Sequence, residues 1–97
     1  MNYKPSIISN KTECFICRAF YNFETLYPLE RHHCLHGTGM RKLADEDGLW
    51  VWLCVRHHKR LHDHNEHDRD LQAIAQGAYI KKHSREEYFK RYGKFFS

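Results

Sequence analysis

The last third of the chain carries the plainest alternation of apolar and polar positions. Leu71, Ile74, Ala75, Ala78 and Tyr79 recur at i, i+3, i+4, i+7 and i+8, which predicts an amphipathic helix. Gly77 lies inside it at a cost of about 1 kcal/mol relative to Ala, which leaves room for a bend there. Ser84-Arg85-Glu86-Glu87 is a capping box that opens a final helix, and Gly93 is placed to stop it. The aromatic face of that helix (Tyr88, Phe89, Tyr92, with Phe95 and Phe96) is expected in the core rather than as a platform for bases.

Upstream the period changes. Gly48 opens Leu49-Trp50-Val51-Trp52-Leu53, an apolar, β-prone run that predicts a strand. Leu29 to Leu35 reads as an earlier short strand ending at the loop Gly37-Thr38-Gly39, and Arg41 to Asp47 reads as a charged connection. Val55 to His62 holds no Gly, Pro or turn signal and is expected to be helical. Phe15 to Pro28, with Phe15, Phe20, Tyr21, Phe23 and Tyr27, is expected to pack over the neighbouring cysteines, whereas Met1 to Lys11 is expected to be a loose arm. The class is α+β. The 97 residues suit one domain, divided into the arm (1–11), a core (12–67) and a helical tail (68–97).

A domain of this size buries only about 60–65% of its unfolded surface, so a metal or disulfide would help to hold it. No apolar run approaches the roughly 18 residues of a membrane span. The first ten residues lack a signal-peptide layout, so no membrane association and a cytoplasmic location are expected. The net charge of +4 is unevenly spread, because residues 1–80 balance and Lys81, Lys82, Arg85, Lys90, Arg91 and Lys94 outnumber Glu86 and Glu87. Such a basic tail is either a solvated helix face or a phosphate-contacting surface.

Nine histidines and four cysteines change the picture most. Cys14-Phe-Ile-Cys17 and Cys54-Val-Arg-His57 share one spacing and together supply Cys₃His, the closed tetrahedral set of a structural zinc site. A redox role for Cys14 and Cys17 would need a βαβ setting that is missing here, and disulfides would need an oxidising compartment. Cys34 is expected to pack in the core, or else to replace one of the four ligands. On the predicted helix His58 and His62 are i and i+4 on one face, with His57 turned about 100° away. In a regular strand His32 and His33 point to opposite sides, so a local bend is expected if both serve one site. His36, His64, His67 and His83 read as exposed or structural.

Cys14 to His64 resembles the HNH endonucleases. The likeness is carried by Cys14-x2-Cys17, by Leu29-Glu30-Arg31-His32-His33, and by Gly48-Leu49-Trp50-Val51-Trp52-Leu53-Cys54-Val55-Arg56-His57-His58. The stretch Gly39-Met40-Arg41-Lys42-Leu43 and the tail from Ser84 to Lys94 look like the small phage-type members. The resemblance implies a zinc-stabilised ββα-metal, treble-clef-like core with C-terminal helices. It implies His33 as general base, and His32, His58 and His62 as ligands of a catalytic divalent metal (Mg²⁺, Mn²⁺, Ni²⁺ or Zn²⁺). An imidazole titrating near pH 6.5 in ordinary surroundings suits removal of a proton from water. The sequence departs from the family at its central Asn, because Leu49 stands about where the Asn is expected. A backbone carbonyl or Asp47 would then have to orient the base. DNA is the implied partner, with Arg41, Lys42, Lys81, Lys82, Arg85, Lys90 and Arg91 as its backbone contacts. The alternative is a non-catalytic zinc module on the same fold that binds nucleic acid or protein.

Overall fold

A computed structural model describes residues 3–37 and 39–95. Thr38 of the glycine loop and Phe96 of the expected aromatic face lie outside them. Helix α1 (Phe15–Tyr21) leads into strand β1 (Leu29–His33), helix α2 (Met40–Asp47) and strand β2 (Trp50–Cys54). Helices α3 (Val55–His64), α4 (Asp68–Lys82) and α5 (Arg85–Tyr92) follow. The architecture is α+β. β1 and β2 pair antiparallel with Leu29 opposite Cys54 and His33 opposite Trp50, and α1, α2 and α3 pack against this hairpin.

The two knuckles are built alike. Cys14 caps α1 and its sulfur accepts from the Cys17 N–H; Cys54 caps α3 and its sulfur accepts from the His57 N–H. Each sulfur therefore takes one of the amide protons that a helix start leaves unbonded. The core gathers Cys14, Ile16, Cys17, Cys34, Leu35, Leu49, Val51, Leu53, Cys54 and Leu61 around the hairpin, with Leu71, Ala75, Tyr79, Tyr88 and Tyr92 from α4 and α5.

Ser84 caps α5 by accepting from the Glu87 N–H, and Gly93 closes it at φ +81°. α4 runs without interruption through Gly77. The stretch read as a charged connection is α2. Its one buried side chain, Ala44, gives no visible stripe, but Met40, Arg41, Lys42, Leu43, Ala44 and Glu46 are good helix formers.

The expected loose arm is tied down. Lys4 N–H donates to the Asp45 carbonyl (2.8 Å), Ile7 N–H to that of Gly48 (2.9 Å) and Ser6 Oγ to that of Trp50 (2.6 Å), while Trp50 Nε1 donates to the Lys4 carbonyl (2.8 Å). Gly48 makes the close approach possible, because a Cβ there would lie 2.3 Å from the Pro5 carbonyl oxygen. The aromatic expectations split. Phe15 and Phe20 pack on the core and Tyr88 and Tyr92 are buried in it, whereas Phe23, Tyr27, Phe89 and Phe95 are exposed. No helix among the described residues is long and apolar enough to cross a membrane.

Candidate metal centres

Cys14, Cys17, Cys54 and His57 converge in a buried cluster compatible with a structural metal ion. His57 Nδ1 lies 3.3, 3.4 and 3.7 Å from the sulfurs of Cys17, Cys54 and Cys14, and the Cys17 and Cys54 sulfurs are 3.9 Å apart. The edges of a tetrahedron drawn with ordinary zinc–sulfur and zinc–nitrogen bond lengths are about 3.6–3.8 Å, so the donors match in type and spacing. Burial, reinforced by Cys14, pushes the Cys17 thiol up to about 12, and burial lowers His57, so the imidazole is neutral and ready to ligate. Tyr21 lies parallel to the His57 ring, with centroids 5.6 Å apart and planes at 3°. Cys34 is fully buried outside this cluster, and burial raises its thiol too.

The second group is His32, His58 and His62. One ring nitrogen from each lies within 4.8 Å of the other two. β1 remains regular through His33, and the chain first bends at Cys34 and Leu35. No bend inside the strand is needed, because its alternation sends Glu30 and His32 toward α3, while Arg31 and His33 reach Asp45 of α2.

His58 Nδ1 bonds Glu30 Oε1 at 2.7 Å. This contact holds the proton on Nδ1 and leaves Nε2 with its lone pair free, as the partner of a metal-binding histidine does. His62 Nε2 sits 3.0 Å from that His58 Nε2. Two nitrogens bound to one first-row cation lie about 3.0–3.4 Å apart, so the pair is already at that spacing. His32 Nε2 is buried without a hydrogen-bond partner. Burial, then the nearby His58 and His62, lowers His32 to about 3. A neutral buried imidazole with an unused nitrogen beside two others is a donor set suited to a cation.

His33 is held from the other face. Its Nε2 bonds Asp45 Oδ1 at 2.9 Å, and Arg31 donates to the same oxygen at 2.5 Å. Partial burial alone would raise the Asp45 carboxyl, but the bonds from Arg31 and His33 outweigh it and hold the group below its usual range. Arg31 is itself stacked over Tyr3 at 3.5 Å and Trp50 at 4.6 Å, so the tied-down arm buttresses this end of the site. Asp47, the side chain expected to orient the base, instead accepts from Arg91 Nε and the Tyr92 hydroxyl. Asp47 ends α2, two residues and so about 200° round the helix from Asp45, and it meets α5 while Asp45 reaches β1.

A cavity of about 440 Å³ joins the two faces, lined among others by His32, His33, His58, His62, Arg41 and Asn65. Of the cations expected to meet phosphate, Arg41 lies on this wall and Lys42 is exposed beside it on α2. Lys81 and Lys82 line a different groove with Ile7 and Ile8. Arg85 stacks on Phe95 at 4.5 Å, and Lys90 pairs with Glu86 at 3.4 Å. Arg91 is bound to Glu46 at 2.8 Å and to Asp47, joining α5 to the end of α2. His36, His67 and His83 pair with Asp68, Asp70 and Glu87, and His64 is exposed. Sequence reasoning missed Glu30, Arg31 and Asp45 as parts of the site.

No family model, curated protein or solved structure matches the chain, and the chemistry of the site stands on its own residues.

Proposed function

We propose that the chain is a metal-dependent endonuclease of the HNH kind, hydrolysing DNA phosphodiester bonds with β1, β2 and α3 as its ββα-metal unit. The observation that carries this reading is the convergence of His32, His58 and His62 in a cavity that His33, already paired with a carboxylate, also lines. A divalent cation held by the three imidazoles (Mg²⁺, Mn²⁺, Ni²⁺ or Zn²⁺) would supply Lewis acidity to the scissile phosphate and a template for in-line attack.

The protein's own part is to hold and move a proton. Because Nε2 of His33 is committed to Asp45, its Nδ1 is the nitrogen left to accept a proton from the attacking water. The imidazolium so formed lies against the Asp45 carboxylate, which stays ionised because Arg31 bonds the same oxygen. Glu30 keeps His58 in the tautomer that offers Nε2. Arg41 lines the cavity as a guanidinium for a phosphate oxygen, and Lys42 extends the positive surface. The Cys₃His centre keeps β2 and α3 fixed beneath the site.

The test is nicking of supercoiled plasmid by zinc-loaded protein across Mg²⁺, Mn²⁺, Ni²⁺ and Zn²⁺, with His33→Ala in parallel. Cleavage by the parent that His33→Ala loses supports the nuclease. Absence of cleavage with every metal refutes it in favour of a non-catalytic zinc module, and equal cleavage by both proteins refutes the role of His33.

A further inference from the structure

Seven large apolar or aromatic side chains are left exposed among the described residues, and Tyr21, Phe23, Leu26 and Tyr27 of this group lie at the end of α1 and in the turn after it. Phe23 and Tyr27 are the barest, at 60% and 70% exposure. Several large apolar side chains exposed so close together on a small domain point to a binding surface. The turn that carries it is firmly anchored. Phe23 N–H donates to the Cys17 carbonyl (2.8 Å), Cys14 N–H to Thr25 Oγ1 (3.0 Å), and Val55 N–H to the Pro28 carbonyl (3.3 Å). Both knuckles therefore hold the exposed rings in place, and Tyr21 and Phe23 are stacked with centroids 5.5 Å apart.

Charge selects the occupant. Tyr21, Phe23 and Leu26 line a cavity of about 270 Å³ with Arg56 and Arg60, i and i+4 on α3. Neither arginine takes part in an ion pair among the described residues, and Glu24 is the one acid on the cavity wall. Rigid aromatic faces beside unpaired guanidiniums suit a strand whose bases are free to stack and whose phosphates need countercharge. Duplex DNA presents no free base faces to such rings. On α3 the Arg56–Arg60 face lies about 200° round from His58 and His62, a helix width of roughly 10–12 Å from the histidine cavity.

We infer that the Phe23–Tyr27 turn and Arg56–Arg60 form a binding surface for an unpaired nucleic-acid strand, with bases on the rings and phosphates on the guanidiniums. The surface goes beyond the proposed cleavage, since it requires neither the second metal nor turnover.

The experiment is fluorescence anisotropy of a labelled oligothymidylate of about 15 nucleotides, long enough for one such surface, and of a duplex of equal length. The full zinc-loaded chain carries His33→Ala and no second metal is added, so cleavage plays no part. The single strand should bind at least about 5-fold more tightly than the duplex, and Phe23→Ala and Tyr27→Leu should each weaken it by roughly 5-fold or more. Arg56→Ala with Arg60→Ala should flatten the logarithmic salt dependence by about 1.4, at about 0.7 per phosphate contact. Zinc content and melting serve as fold controls, since the rings replaced are exposed. Unchanged single-strand affinity in both ring variants overturns the inference and leaves the patch to a protein partner. Equal binding of duplex and single strand overturns it as well. Ring-dependent binding by a chain that never cleaves DNA keeps this inference while the nuclease reading falls.

Discussion

Asp45 is the residue on which the orientation of the candidate base turns, and its removal has two separable consequences. One carboxylate oxygen receives both Arg31 and His33, and all three side chains are about one-fifth to one-quarter exposed. Asp45→Ala deletes a charge-assisted contact and leaves a guanidinium whose Nε is already buried without a partner. A fully buried unpaired charge would cost about 3–5 kcal/mol, and partial exposure brings the expectation to about 2 kcal/mol. In a domain of this length that is a fall of roughly 8–16 °C in Tm, read by circular dichroism. The carboxyl lies below its ordinary 3.8, since the bonds from Arg31 and His33 outweigh the opposing effect of partial burial. On acidification the unfolded chain takes up this proton first. The stability Asp45 contributes is therefore full above about pH 4 and is lost as pH falls through the folded value, so the parent and Asp45→Ala curves should converge in acid. Plasmid nicking should drop by about 100-fold or more, because the imidazole loses the partner that fixes its tautomer. Asp45→Asn keeps an acceptor for His33 and should fall between the two. An Asp45→Ala protein that melts within about 0.5 kcal/mol of the parent and cleaves at full rate would refute the whole construction.

Cys14→Ser, or a chelator strong enough to strip zinc, should unfold the chain: structural zinc contributes about 10–16 kcal/mol in small domains whose total stability is about 5–15 kcal/mol. Unchanged far-ultraviolet dichroism after verified loss of metal would contradict this. Gly48→Ala should destabilise by about 2 kcal/mol or more, because φ is +72° and the added carbon would lie 2.3 Å from the Pro5 carbonyl oxygen, which has to move; urea melts measure it. Arg91→Ala should cost about 1–2 kcal/mol through its contacts with Glu46 and Asp47 yet leave the salt dependence of DNA binding alone, whereas Arg41→Ala should flatten that slope by about 1.

The features legible in the sequence are those written within a few residues of one another. The paired knuckles need only a spacing of three, α5 only its capping box, and α4 only a stripe of five apolar positions. The i, i+4 relation of His58 and His62 is equally local. Glu30 was also within reach, since it shares a strand face with His32 two positions on, and the partner of a metal-binding histidine is commonly a carboxylate. Asp45 was not. Its role depends on α2 packing against β1, and α2 has too little apolar surface to announce itself as a helix. The arm escaped for a related reason, because its hold on the core comes from backbone carbonyls and from the missing side chain at Gly48, none of which alters hydrophobic periodicity.

The adjacency of His57 and His58 ties the two histidine groups together mechanically. His57 is fixed by three sulfurs, so the first turn of α3 has little freedom to rotate, and His58 follows within that turn. Glu30 then pins His58 from β1, whose partner β2 ends in Cys54, a ligand of the same cluster. On the proposed reading a metal at the Cys₃His centre would set the spacing of His32, His58 and His62, because a short hairpin and a ten-residue helix cohere weakly on their own. If the histidine group holds the proposed cation, loss of zinc from the first centre should abolish that binding even where residual helix survives. Loss of His62, at the far turn of α3, should weaken the second and leave the first intact. That one-way dependence is what a site assembled on a metal-clamped helix start predicts, and two independent metal sites would not show it.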